Sequence, residues 1–379
     1  MNVCLVGTVS ISINNFREKL VLDLVSMGAN VYIFAIDFNE ETKNYVRSLG
    51  ATPLDYSLQR TGLNPFRDIK AMFDLYNVIK RLNCDAVLTY TVKPVIYASI
   101  AAKLAGVKNV VGMLEGLGYS FTKLPEGSQL KQEILKNLQK LLYWFSSHFI
   151  DKFIFLNCDD KLELKGVINT PADNVYILGG IGVDLALYKE SIAPAPDKIR
   201  FIFIGRFLRE KGIHEYIQAA KSVKKIHNRV EFVVLGGLDE ENPGGLSKSD
   251  LNILVQDQDI IYPGYVDNVK EWLESSSVFV LPSYREGYPM STQEALAVGR
   301  AVITTDVPGC KDTVDPNVNG FIVPPWSSSA LADAMLQFIE NPCLIEKMGK
   351  ASRKFAERNL DVNLVNSRLI SWLTQEKRD

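Results

Sequence analysis

The 379-residue sequence predicts an α/β protein built from two doubly wound parallel sheets in series. Three observations predict it. Short apolar runs alternate with longer amphipathic stretches, the rhythm of strand–helix–strand units whose helices cover both faces of a parallel sheet. The length exceeds what one core usually organises and suits two domains of roughly 150–200 residues. A turn-rich segment, Gly179-Gly180-Ile181-Gly182-Val183-Asp184, and then Ala193-Pro194-Ala195-Pro196, interrupt the alternation before it restarts at Arg200.

The elements follow in order. Buried strands are expected at Asn2–Gly7, Val31–Ala35, Ala86–Thr91, Val110–Gly112 and Phe153–Leu156 in the first half. Ile199–Gly205, Val230–Gly236, Val278–Pro282 and Ala301–Thr305 are expected in the second. Each is a short apolar run bounded by turn residues or by a polar helix pattern. Helical patterns occupy Asn15–Met27, Lys70–Leu82 and a long stretch from Gln129 to Ile150. Domains are expected at 1–185 and 186–355, with a C-terminal helix, 356–379, completing the first.

Composition removes several function classes. With 47% apolar and 23% charged residues the chain is neither disordered nor low-complexity. A net charge of -2 carries no nucleic-acid signature. No uncharged apolar run is long enough for a spanning helix, and the start reads as a strand with no basic region ahead of it. Five scattered cysteines point to a reducing compartment. The three histidines are His148, His214 and His227, and none is close to another, so a histidine metal centre is not expected.

In doubly wound sheets, ligands sit outside the carboxyl ends of strands. Two such loops carry chemistry. In Phe203-Ile204-Gly205-Arg206-Phe207-Leu208-Arg209-Glu210-Lys211-Gly212, a strand ends at Gly205 and two cations, Arg206 and Lys211, flank a turn before a helix. Cations beside a helix start suit a multivalent anion such as a diphosphate. A solvated basic turn would look the same in isolation. In the second, Leu281–Gly299, a strand leads through Gly287 into a helix with Pro289 at its expected first position. The freed N–H groups near Tyr288–Ser291 then suit phosphate oxygens. Glu286 in the turn and Glu294 in the helix repel phosphate and make better acceptors for sugar and ribose hydroxyls. Alone, this segment would equally be structural.

Together the two segments, an E-x7-E pair inside PSYREGYPMSTQEALAVG and the motif GRFLREKG, resemble retaining glycosyltransferases of family 4. GGIGVDL (179–185), VVLGG (233–237), YPGYVDNV (262–269) and AVITTDVPGCKDTV (301–314) extend the resemblance over essentially the whole chain. LNPFRDIK, LEGLGYSF and LGGLDEENPG are similar to bacterial N-acetylgalactosaminyltransferases acting on undecaprenyl-diphosphate-linked sugars, in N-glycan or O-antigen assembly.

The resemblance implies the GT-B fold, two Rossmann-like domains facing a cleft. The first domain would bind a lipid-linked saccharide acceptor and the second a UDP-sugar donor. Arg206 and Lys211 would hold the diphosphate, Glu294 the ribose and Glu286 the donor sugar. Gly205, Gly287, Tyr288, Pro289 and Met290 would border the nucleotide, and Val266 the base. Gly7 would lie in the loop after the first strand, facing the cleft. No cofactor and no metal are required, because two fixed cations face the diphosphate. The place of work would be the inner face of the cytoplasmic membrane, on its surface.

The sequence departs from the family in two loops. A single glycine, Gly7, follows the first strand where many members carry a pair. Leu114-Glu115-Gly116-Leu117-Gly118 holds no histidine where many members have one. Glu115 either touches a substrate in its place or caps local backbone. Asp257-Gln258-Asp259 mimics a metal-binding DxD triplet and reads as a solvated loop.

Across 129–150, Leu130, Ile134, Leu135, Leu138, Leu141, Leu142, Phe145 and Phe149 share one side, with Lys136, Lys140, Tyr143 and Trp144 around the rest. That pattern fits a helix packed on the sheet, a helix at a lipid surface, or both. Two other function classes share parts of this picture. A UDP-N-acetylglucosamine 2-epimerase-like isomerase would have the same two sheets but needs acid/base pairs that so few histidines make scarce. A silent carbohydrate-binding protein would not be expected to keep Arg206, Lys211, Glu286 and Glu294 together.

Overall fold

A computed structural model describes residues 1–59, 64–123, 129–194, 198–239, 242, 244–255 and 260–374. The chain divides into two compact units. The first takes Met1–Phe121, Ser128–Ile181 and then the last helix, Val362–Thr374; the second takes Gly182–Asp361, and the short segment 122–127 groups with it.

The first unit holds seven strands: β1 (Asn2–Val6), β2 (Asn30–Ala35), β3 (Thr52–Asp55), β4 (Ala86–Tyr90), β5 (Asn109–Leu114), β6 (Lys152–Phe155) and β7 (Val175–Ile177). They pair in the order β3-β2-β1-β4-β5-β6-β7, and every pair is parallel. The order reverses between β1 and β4, where Cys4 lies opposite Val87. The central strands β4 and β5 are buried along their whole length, which is why they read as continuous apolar runs.

The second unit holds six: β8 (Arg200–Ile204), β9 (Glu231–Leu235), β10 (Ile260–Gly264), β11 (Val278–Leu281), β12 (Ala301–Thr305) and β13 (Gly320–Val323). Their order is β10-β9-β8-β11-β12-β13, again parallel, with its reversal between β8 and β11. Its core is aromatic at the centre: Phe201, Phe203, Phe232, Phe279 and Tyr216 are all fully buried. Phe201 stacks on Phe232 with centroids 5.5 Å apart.

Four strands were not expected: β3, β7, β10 and β13. They are the outer strands of the two sheets. An outer strand is paired on one side and partly wet, so its sequence is short and mixed, as in TPLD for β3 and IIYPG for β10.

Helix boundaries also differ from expectation. The pattern Asn15–Met27 is broken at Arg17, whose φ of -134° separates the helices Ile11–Phe16 and Glu18–Ser26. The pattern Lys70–Leu82 begins earlier, with Asn64 capping Arg67 N–H at 3.2 Å and Pro65 opening the helix Pro65–Leu82. The expected helix 356–379 is two elements. Residues up to Asn359 end the helix Cys343–Asn359, and the chain then restarts as Val362–Thr374. That last helix is held in the first unit by Asn109, whose Nδ2 donates to Trp372 O at 3.1 Å, and by Trp372 stacked on Tyr176 at 4.6 Å.

The helix Gln129–Ser147 turns an unexpected face inward. Tyr143 is fully buried, and its hydroxyl accepts from Gln139 Nε2 at 2.8 Å. Leu130, Ile134, Leu138, Leu141, Trp144 and Phe145 are exposed. Lys136 and Lys140 both reach Glu163, at 2.9 and 3.0 Å. Among the described residues no helix is long and apolar enough to cross a membrane.

Candidate active site

The second unit places the predicted cations and carboxylates in the loops after β8 and β11, the two strands at which the sheet order reverses. That is where a doubly wound sheet leaves a crevice for a ligand. After β8 the chain runs through Gly205 and Arg206 into a single turn, Arg209–Lys211, and then the helix Ile213–Lys224. Gly212 joins the two with φ +74°, and a Cβ there would lie 2.1 Å from Pro282 O. Only glycine lets the turn after β8 approach the segment after β11 so closely.

Lys211 and Glu286 meet across this approach. Lys211 Nζ donates to Glu286 Oε1 at 2.5 Å, and Ser283 Oγ donates to the same oxygen at 2.7 Å. Both charged groups are largely buried, with 18% and 10% exposure. Tyr284 N–H donates to Glu210 O at 2.8 Å, a second tie between the two loops. Burial raises the Glu210 carboxyl above its ordinary range, against the pull of Lys211 and Arg206. The Glu286 turn is braced by Pro308, whose carbonyl accepts from Glu286 N–H at 3.0 Å.

Arg206 is directed elsewhere. Its Nη1 donates to Asp239 Oδ2 at 2.6 Å; Arg206 is 52% exposed and Asp239 only 9%. Asp239 belongs to the loop after β9, next to β8 in the sheet. Sequence reasoning missed it, because an aspartate in a polar loop carries no signal of its own.

Pro289 is the cap and not the first residue of its helix. Its ψ of 127° is extended, and the helix is Met290–Ala297. Gln293 N–H donates to Pro289 O at 3.2 Å, the first bond of the helix, so the N–H groups of Met290, Ser291 and Thr292 precede the ladder. Gly287 is buried and Tyr288 partly so, its hydroxyl donating to Asp312 O at 3.0 Å.

Glu294 is partly buried within that helix and accepts from Tyr188 Oη at 2.9 Å. Burial pushes its carboxyl up to about 7, while the Tyr188 hydrogen bond pulls the other way. Tyr188 is a further residue that the sequence did not single out. Val266 follows β10, two strands from β8, and packs partly buried on the core.

The first unit brings Gly7 and Glu115 to a corresponding place, the carboxyl ends of β1 and β5 on either side of β4. A Cβ on Gly7 would lie 2.2 Å from the Tyr90 ring, and Gly7 O accepts from Tyr56 Oη at 2.6 Å. Close packing against Tyr90 therefore accounts for the single glycine. Glu115 forms an ion pair with Arg17. Arg17 is 3% exposed and lies over the Tyr90 ring, 4.1 Å from its centroid. The break between the two first helices places Arg17 there, another residue missed in the sequence. His148 follows the long helix directly, with Nδ1 2.8 Å from Trp144 O. Asp257 and Asp259 lie outside the described residues.

Comparison with known proteins agrees with this architecture. Residues 2–157 match the family model "Glycosyl transferase 4-like", and residues 186–355 match "Glycosyl transferases group 1". The chain is 26% identical over 371 residues to N,N'-diacetylbacillosaminyl-diphospho-undecaprenol alpha-1,3-N-acetylgalactosaminyltransferase of Campylobacter jejuni, covering 95% of this chain and 94% of that one. It is 27% identical over 300 residues to an Escherichia coli enzyme, UDP-Gal:alpha-D-GlcNAc-diphosphoundecaprenol alpha-1,3-galactosyltransferase, covering 73% and 72%. Sucrose-phosphate synthase of Thermosynechococcus elongatus superposes with a TM-score of 0.79 at 17% identity, over 98% of each chain. With matched family models over both halves and two parallel sheets that reverse at β1/β4 and β8/β11, the chain belongs to the family 4-like glycosyltransferases of the GT-B fold.

Proposed function

We propose that this glycosyltransferase moves a hexose, with N-acetylgalactosamine favoured, from a UDP-sugar to a polyprenyl-diphosphate-linked glycan and retains the anomeric configuration. The observation that carries the reading is the arrangement after β8 and β11: Arg206, Lys211 and the start of the helix Met290–Ala297, beside the carboxylates Glu286 and Glu294. The names of the Campylobacter and Escherichia relatives, both acting on undecaprenyl-diphosphate-linked sugars, support the acceptor class.

The chemistry follows from charge. The bond between the anomeric carbon and the β-phosphate oxygen breaks, and negative charge grows on the diphosphate. Arg206, Lys211 and the helix start stabilise that charge. The acceptor hydroxyl oxygen bonds to the anomeric carbon on the face the diphosphate leaves, and its proton passes to a leaving phosphate oxygen. Glu294 accepts the ribose hydroxyls, and Glu286 faces the donor sugar. No metal takes part, since two fixed cations already meet the diphosphate. In the first unit, Gly7 and the Arg17–Glu115 pair border the acceptor. The exposed stripe Leu130, Ile134, Leu138, Leu141 and Phe145 suits the headgroup layer of the inner membrane face, where a polyprenyl acceptor resides.

A donor screen tests this reading: UDP-N-acetylgalactosamine, UDP-N-acetylglucosamine, UDP-galactose and UDP-glucose with synthetic polyprenyl-diphosphate saccharides, and NMR of the product. An α-linked N-acetylhexosamine added to the acceptor supports it. A β-linked product would refute retention. Free UDP-sugar epimerised without acceptor would replace transfer by isomerisation.

A further inference from the structure

Asp239 is fixed to Arg206 by more than their ion pair. The segment after β8 and the loop after β9 are joined along their backbones. Phe207 N–H donates to Gly237 O at 2.9 Å, Leu246 N–H to Phe207 O at 2.9 Å, and Arg209 N–H to Gly244 O at 2.8 Å. Glu210 packs on the same loop, so closely that a Cβ on Gly244 would lie 2.1 Å from its Oε2. Asp239 O itself accepts from Asn242 N–H at 3.0 Å. The carboxylate is therefore held by a braced loop, while the arginine it meets is half exposed.

The bond uses one corner of the guanidinium. Nη1 is on Asp239, and among the described residues Nε and Nη2 have no protein acceptor. A planar guanidinium anchored at one corner has its plane set, and the two remaining donor positions form the fork that matches two oxygens of a phosphate. Lys211 has a comparable anchor in Glu286, so each cation of the site is paired with one carboxylate before any donor arrives.

We propose that Asp239 is a positioning residue of the donor site: it orients Arg206 so that the Nε/Nη2 edge receives the diphosphate of the nucleotide sugar. The proposal rests on the reading of Arg206 as a diphosphate ligand. It adds a role for Asp239 of the loop after β9, exerted through Arg206.

Titration calorimetry of the full chain with UDP, and competition measurements with uridine, test it across wild type, R206A, D239A and D239N. An anchor for a phosphate-binding arginine affects UDP and leaves uridine alone. D239A should weaken UDP by about tenfold and D239N by about threefold, because asparagine keeps the acceptor and loses the charge. Uridine affinity should stay within about twofold in both. Equal losses for UDP and uridine in D239A would make Asp239 a structural residue of the loop and overturn the proposal. So would unchanged UDP affinity in D239A alongside a clear loss in R206A. If D239A is too unstable to titrate, an unchanged UDP-to-uridine affinity ratio in D239N overturns it as well. Unchanged UDP affinity in R206A is a separate outcome: it removes the diphosphate reading of Arg206 itself, and the anchoring role with it.

Discussion

Glu286 and Glu294 share one strand–turn–helix segment but meet different neighbours. Glu286 is bound by Lys211 and Ser283, whereas Glu294 has a single tyrosine hydroxyl and a carboxyl raised to about 7. The two should therefore separate in titrations with UDP. With Glu294 on the ribose as proposed, E294Q should lose charge-assisted bonds there and weaken UDP by roughly 1.5–3 kcal/mol. E286Q, which keeps an acceptor for Lys211 and loses only the charge, should cost UDP no more than about threefold and lower turnover. Equal losses in both would dissolve the division between ribose and sugar roles.

Glu294 also implies a pH dependence. Ionised Glu294 is the better acceptor for ribose hydroxyls, so uridine should bind more tightly as pH rises through about 7, and E294Q should flatten that profile. Uridine is the right probe because it has no phosphate to titrate. For stability the sign is opposite. A carboxyl raised in the folded state contributes most below the ordinary carboxylate range, and the contribution is lost as pH rises through about 7.

These carboxylates were legible in the sequence because strand, turn and helix bring them together locally. Arg17 and Asp239 were not. Their partners, Glu115 and Arg206, are supplied by other strands, and a single arginine in an amphipathic stretch has the pattern of a solvated residue.

The elements show the same division between local and distant causes. Every interior strand of both sheets was readable as an apolar run, and the outer strands β3, β7, β10 and β13 were not. A strand covered on both sides must be apolar throughout, while an outer strand answers to solvent as well. The helix Gln129–Ser147 was legible as a helix, but its buried side was not. Tyr143 and Gln139 satisfy each other's polar groups and can go inward, which leaves a leucine-rich stripe outside.

Arg300 is the clearest case of an element held from a distance. Fully buried just before β12, it donates to Leu273 O at 2.8 Å, Ser191 O at 2.9 Å and Glu274 O at 3.1 Å, and it also bonds Ser191 Oγ. It thereby satisfies the carbonyls that end the helix Val269–Glu274. R300A should cost about 3 kcal/mol in urea unfolding, because several buried acceptors lose their donor at once. A loss below about 1 kcal/mol would mean that water replaces the guanidinium there.

At the scale of the whole molecule, the chain builds one sheet, then the other, and returns to the first unit for its last helix. Trp372 and Asn366 seat that helix, the latter donating to Asp23 Oδ2 at 2.9 Å. Removing residues from Val362 onward should take away Leu369, Ile370 and Leu373, all buried, uncover the apolar surface of the first unit that they cover, and lower its unfolding temperature. The second unit, whose core lies within Gly182–Asp361, should still bind UDP. Loss of UDP binding on truncation would show that the two units do not keep their folds separately.

The central claim is that fixed cations after β8 stabilise the departing diphosphate. Single-turnover transfer rates, measured in excess EDTA for wild type, R206A and K211A, test it most directly. The account predicts that wild type keeps most of its rate and that each variant falls by at least about tenfold while remaining folded, in line with the roughly 2–4 kcal/mol that one such contact supplies in a transition state. Near-normal rates in both variants, or a wild-type rate abolished by EDTA and restored by manganese, would contradict it.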